Sequence, residues 1–310
     1  MRKFTLSTLL LSFAATVGFS GPVFADHAFS LYDTPKYGPG FTHFDYVNPD
    51  APRRGTLYLA NPDRRTSFDK FNPFSLKGVA AAGVSTLMFE TLAVGSSDEV
   101  ATMYGLLADD MTLAPDRMAM TFHLNPKARF NNGDPVTAAD VKYSYDTLLA
   151  KGAPQFKSMF ADVKQCVVVD AQTVRFEFKT KNHELPLIVG GVPVFSKKWA
   201  AGTAFDNIQL TPPITSGPYL IDSYDVGRNI TYKRNPAYWG TDIPVRKGSF
   251  NFERIAYRFY KDDVARLEAF KAGEFDVVVE YSAKNWVRNY NGPKFASGEI
   301  VKRELKHSNG

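Results

Sequence analysis

Five histidines could supply metal ligands or a general base. They stand at positions 27, 43, 123, 183 and 307, with no two at ligand spacing. His183-Glu184 opens like a zinc-protease helix, but Leu187 occupies the place of the second histidine and Pro186 interrupts the helix. No serine sits in a Gly-x-Ser-x-Gly elbow, and there is no glycine-rich phosphate loop. The paired carboxylates Asp109-Asp110 and Asp262-Asp263 read as loop ends and helix caps. Cys166 is the only cysteine, so no internal disulfide can form. Asn229-Ile230-Thr231 fits a glycosylation acceptor but has no meaning in a bacterial export context. These residues predict a binding module and not an enzyme, with no metal and no cofactor. A secreted hydrolase with an unrecognised site is the competing reading from another class.

The elements that would position a ligand come from an ordinary globular composition: 310 residues, 44% hydrophobic and 22% charged. The first 25 residues stand apart. Arg2 and Lys3 precede the uncharged run Leu6 to Phe19, and Val23-Phe24-Ala25 suits a leader peptidase. The pattern predicts a signal peptide over 1–25, cleaved after Ala25, and no later stretch approaches 18 apolar residues. No cysteine follows to carry a lipid, which points to a soluble protein of the periplasm. The formal charge of +5 is spread along the chain, without basic residues interleaved with aromatics, so nucleic acid is not an expected partner. Arg53-Arg54 and Arg64-Arg65 read as solvated loop charge.

Local patterns give the elements. Residues 26–55 look like an extended arm, Thr56 to Ala60 like a strand, Asn61 to Ser75 like a polar loop, and Val79 to Leu92 has helical spacing. Met118, Met120, Phe122 and Leu124 alternate as on a half-buried strand. Thr137-Ala138-Ala139-Asp140 is a capping box, followed by the apolar stripe Val141, Tyr145, Leu148 and Leu149 and ended by Gly152. Hairpins are expected around Asp170-Ala171-Gln172 and Asp225-Val226-Gly227. A β-α-β unit runs from Ile255 through a helix capped by Asp262 or Asp263 to Phe275–Val279, which would make its two strands neighbours. If that sheet is open, Glu280 to Trp286 lies near a binding crevice.

Several segments together resemble the family 5 extracellular solute-binding proteins, the oligopeptide, dipeptide and nickel binders of ATP-driven importers. They are Phe71-Asn72-Pro73, Leu87 to Leu92, the long stretch Leu107 to Leu149, Thr215 to Tyr219, Asn235 to Trp239 and Gly273 to Asp276. The arm segments Pro35-Lys36-Tyr37 and Phe41 to Pro52, with Lys284-Asn285-Trp286, are similar to the subgroup that binds oligopeptides and microcin C-type conjugates; Arg53-Arg54-Gly55 departs from its usual Lys-Gly-Gly.

The resemblance implies an α/β, two-lobed periplasmic binding protein fold (type II, family 5 cluster), with mixed sheets, flanking helices and a second lobe largely missing. It divides the chain into the arm and start of lobe I (26–75), a subdomain packed on it (76–185), the lobe I core and crossover (186–280) and the start of a truncated lobe II (281–310). The implied partners are a peptide ligand and an inner-membrane permease complex, with the protein a monomer. Nickel or haem is the alternative ligand within the family. Lys77, Gly78, Val79 and Ala80 are expected to pair with an extended peptide as an added strand, Gly78 allowing close approach, while Phe156 and Trp286 are candidate aromatic walls.

Overall fold

The alternation at 118–124 becomes the strand Ala119–Leu124 of an antiparallel sheet ordered Ala108–Leu113, Ala119–Leu124, Thr173–Phe178 and Val163–Val168. The computed structural model describes residues 26–61, 66–199 and 203–304. The expected signal peptide, the Arg64-Arg65 pair and His307 lie outside the described residues. Met120, Phe122 and Leu124 turn into the core, where Phe122 meets Phe176 edge-on at 6.0 Å. The helix Ala138–Lys151 covers this sheet. Its capping box forms as expected: the Thr137 N–H donates to Asp140 Oδ2 at 3.1 Å, and Asp140 Oδ1 also accepts from the Lys197 N–H. Val141, Tyr145 and Leu148 are buried, each contributing about 1.5–3 kcal/mol by leaving water. Ser144, on the same helix, accepts from the Phe195 N–H at 2.9 Å and so fixes the adjoining strand Pro193–Val194.

The second sheet is mixed. Tyr219–Asp225 and Asn229–Arg234 form the expected hairpin, Arg254–Arg258 joins it antiparallel, and Thr56–Ala60 lies parallel on the far side. Asp262 caps the crossover helix Asp263–Ala272, accepting from the Ala265 N–H at 2.7 Å. The chain that follows does not return beside Arg254–Arg258. It touches the outer edge of Thr56–Ala60 through a parallel bridge between Leu59 and Val277, and Asp276 carries the edge further by accepting from the Tyr58 N–H. Phe275–Val279 does not form the expected second strand, and its one bridged residue lies on the side of Thr56–Ala60 away from Arg254–Arg258. Alternating side chains declare that a segment is a strand but not which strand pairs with it.

Two other expectations give way. The arm is not simply extended: Ala28–Ser30 pairs with Thr102–Gly105, and Tyr37, Phe41 and Phe44 pack on Tyr104 at 5.4–5.7 Å between ring centres. Lys36 holds Asp98 at 2.6 Å and Asp45 at 2.9 Å, and the Tyr37 hydroxyl donates to Asp98. The helical pattern from Val79 to Leu92 yields one turn, Val84–Leu87, because Gly83 precedes it in the left-handed region and the strand Glu90–Thr91 follows at once.

Candidate functional site

The loop expected to meet a ligand is built on Phe68-Asp69-Lys70-Phe71. Both phenylalanines are buried, and Lys70 is buried between them at 2% exposure. Its ammonium donates to the Ser75 carbonyl at 2.6 Å, to the Ser75 hydroxyl at 2.8 Å and to the Lys77 carbonyl. Charge-assisted hydrogen bonds of this kind are what make a buried lysine tolerable. Asn72 accepts from the Phe74 N–H and donates to the Phe205 carbonyl, while the Phe71 N–H donates to the Gln209 carbonyl. The Phe71-Asn72-Pro73 segment thereby fastens the 205–209 stretch beside the loop.

The loop's backbone groups are divided between inside and outside. The Val79 N–H donates to Asp69 Oδ1 at 2.7 Å, and the Val79 carbonyl accepts from the Asp69 and Lys70 N–H groups. Lys70 and Ala80 form a parallel bridge, with the Ala81 N–H donating to the Lys70 carbonyl at 3.0 Å. In extended chain the N–H and C=O of successive residues point to opposite edges. Val79 is thus committed inward, and the N–H and C=O of Ala80 point away from Lys70. Lys77 and Gly78 are exposed, beside Leu76 at 70% and Ile208 at 52% exposure.

Gly78 answers a different need from the one its sequence context implies. Its φ is +77°, and a Cβ there would lie 2.6 Å from Asp69 Oδ1 and 3.1 Å from Ile208. The glycine is demanded by the loop's own turn, before any ligand arrives.

The two aromatic candidates lie elsewhere. Phe156 is buried, packed on Phe74 at 6.1 Å and Phe160 at 6.3 Å, which leaves it no open face for a ligand. Trp286 is half-buried on the short helix Ala283–Arg288, with the Lys302 ammonium 4.3 Å from its ring centre. Neither ring lines the one cleft described next.

A cleft of about 540 Å³ opens between the arm and residues 239–245, walled by Phe41, Tyr104, Trp239 and Val245, with Asp109 and Asp242 on its rim. Burial, and then the neighbouring Asp110, push the Asp109 carboxyl upward from its ordinary pKa. None of the six sequence-predicted residues lines it.

Sequence reasoning passed over Glu90, although three of the segments it singled out converge there. Glu90 is 1% exposed. Its carboxylate accepts from the Tyr238 hydroxyl and from the Trp239 indole N–H at 2.9 Å, with Arg246 at 3.4 Å. The same indole N–H reaches the Ser216 carbonyl, and the Gly217 N–H donates to the Met88 carbonyl. Burial raises the Glu90 pKa, against the opposing pull of Arg246, Tyr238 and Trp239. Lys70 and Glu90 share one legible signal: each is a charge flanked by large apolar residues, Phe68 and Phe71 in one case, Met88, Phe89 and Leu92 in the other.

Among the described residues no group of three or more His, Cys, Asp or Glu could hold a metal ion, and no helix is long and apolar enough to cross a membrane.

Comparison with known proteins follows the same lines. The family described as bacterial extracellular solute-binding proteins, family 5 Middle, matches residues 102–304. The protein YejA of Escherichia coli K12 is 37% identical over 281 residues, which are 91% of this chain and 46% of that protein. A protein of Agrobacterium fabrum named "Probable peptide-binding protein YejA" is 38% identical over 279 residues, 87% of this chain and 44% of its own length. The chain thus spans under half the length of these relatives. The oligopeptide-binding protein AppA of Bacillus subtilis, solved with a nonapeptide, superposes with a TM-score of 0.59 over 73% of this chain and 44% of AppA, at 18% identity, a likeness of fold alone. The architecture is accordingly part of the mixed α/β fold of these binding proteins.

Proposed function

The chain belongs to the family 5 bacterial extracellular solute-binding proteins, and from that premise we propose that it captures oligopeptides or peptide conjugates for an ATP-driven importer. Members of the family are binding proteins, not enzymes. In this reading the protein works as a monomer in the periplasm, released by cleavage after Ala25, and passes its ligand to a permease complex in the inner membrane. Lobe I comprises residues 26–75 and 186–280, the subdomain 76–185, and lobe II begins at 281.

The observation that carries the reading is the loop Lys77–Ala80. Ala80 directs its N–H and C=O away from Lys70, in a loop whose Gly78 lies against the exposed Ile208. Main-chain pairing at such an edge gives affinity without reading side chains, which suits a carrier of varied peptides. Lys77 adds a positive charge at the rim, and Trp286 is the remaining aromatic candidate. The relative named for peptide binding supports the ligand class.

The test is an NMR titration with a pool of unblocked tetrapeptides at millimolar concentration. Shifts at the Gly78 and Ala80 amides are expected. No shift in that loop, or shifts confined to the cleft beside Trp239, would overturn the assignment.

A further inference from the structure

The peptide-binding loop faces solvent, yet its shape is dictated from beneath by a single charge. We propose that Lys70 is the positioning residue of this loop: its buried ammonium draws the Ser75 and Lys77 carbonyls inward and so fixes which backbone groups remain for a ligand. The inference rests on the binding reading above but makes a claim of its own about the loop.

Three observations carry it. The ammonium meets three acceptors on one short turn, at the Ser75 carbonyl, the Ser75 hydroxyl and the Lys77 carbonyl. The Lys70 backbone grips the same loop from the other side, its N–H donating to the Val79 carbonyl and its carbonyl accepting from the Ala81 N–H. The turn admits only glycine at its tightest point, because Gly78 takes a φ of +77° and a Cβ there would meet Asp69. With side chain and backbone of one residue both engaged, residues 75–81 are held to a single register, and Ala80 is the residue left facing outward.

The structural consequence is specific. An extended ligand strand needs N–H and C=O groups at fixed spacing along the edge it joins. If the Lys77 carbonyl were free to swing outward, the loop would present a variable set of groups, and ordering it would be charged to binding. Pre-setting the loop removes that entropic cost. Lysine suits the role because a compact ammonium on a long stem can reach several carbonyls at once.

Amide hydrogen exchange on the full chain separates a positioning role from a general structural one. In Lys70→Met, protection of the Val79 and Ala81 amides should fall about tenfold or more, while amides of the distant sheet Ala119–Leu124 keep theirs. Lys70→Arg, whose guanidinium still offers several donors, should restore most of the lost protection and guards against a Met variant that fails to fold. Titrated with the same tetrapeptide pool, Lys70→Met should bind about tenfold more weakly than the parent chain. Unchanged protection of Val79 and Ala81 in Lys70→Met would overturn the inference. So would a loss spread equally over the whole molecule, or an Arg variant no better than Met. Should the parent chain bind no peptide, the ligand reading fails by itself, and the exchange data still decide whether Lys70 sets the loop.

Discussion

Glu90 and Lys70 are both buried ionisable side chains with their hydrogen bonds made, but they draw partners from opposite ranges of sequence. Glu90 is reached by Tyr238 and Trp239, 148 and 149 residues away. Lys70 is reached by Ser75 and Lys77, five and seven residues away. The acid closes a junction between distant segments that would otherwise expose unpaired polar groups in the core. The base shapes one surface turn and leaves the rest of the molecule to other contacts. The difference separates long-range from local order: residues that converge from far apart hold the fold together, whereas a local clamp sets the course of one loop.

Breaking the junction should have the largest effect. Glu90→Ala leaves Arg246 and the Trp239 N–H without their shared carboxylate, and breaking such a buried pair costs about 3–5 kcal/mol. Urea unfolding would register this as a lower midpoint, and a loss under about 1 kcal/mol would remove Glu90 from its place at the centre of the comparison.

Gly78→Val forces a β-branched residue into a positive φ and onto Asp69, at about 1–3 kcal/mol. Melting should therefore fall together with any peptide binding. A glycine serving the ligand alone would weaken binding and leave the melting temperature unchanged, so differential scanning calorimetry distinguishes the two.

Lys77→Ala sharpens the comparison from the recognition side. The side chain is exposed, so stability should stay within about 0.5 kcal/mol of the parent. The tetrapeptide titration should nonetheless shift to weaker binding. A large loss of stability would mean that the rim lysine belongs to the architecture.

The smallest effect is expected at the arm, and it depends on pH. Burial works to raise the Asp98 carboxyl, but Lys36, Ser96 and Tyr37 outweigh it and bring its pKa to about 2 from an ordinary 3.8. A depressed folded-state pKa means that the stabilisation is present above about pH 4 and is lost as pH falls toward 2. Glu90 has the opposite sign: its raised pKa makes the carboxylate form the penalised one, so acid does not weaken the junction in that way. Ring signals of Tyr37 followed from pH 5 to pH 2 should broaden or shift before those of Tyr238. In Asp98→Asn the early acid step should vanish, and its persistence would assign the arm's acid sensitivity elsewhere.

Much of the local structure was legible in advance. The Thr137–Asp140 capping box, the Asp170 and Asp225 hairpins and the Met120/Phe122/Leu124 face all form, because each is specified by residues within a few positions of one another. Gly78 stood out in the sequence, but not the reason for that glycine, which lies in its positive φ and in the closeness of Asp69 and Ile208. Phe156 could not be told from a wall residue, since an aromatic side chain suits a core and a binding face equally.

What the sequence determined by itself was the family, the caps, the turns and the faces of strands, all of which are written in neighbouring residues or in ordered short segments. Only the tertiary structure decided that Thr56–Ala60 enters between Arg254–Arg258 and the chain at Val277, that the arm folds back onto Tyr104, and that separate segments meet at Glu90. Those choices depend on which apolar faces and hydrogen-bonding edges remain open once the rest of the chain has packed, and no residue carries that information alone.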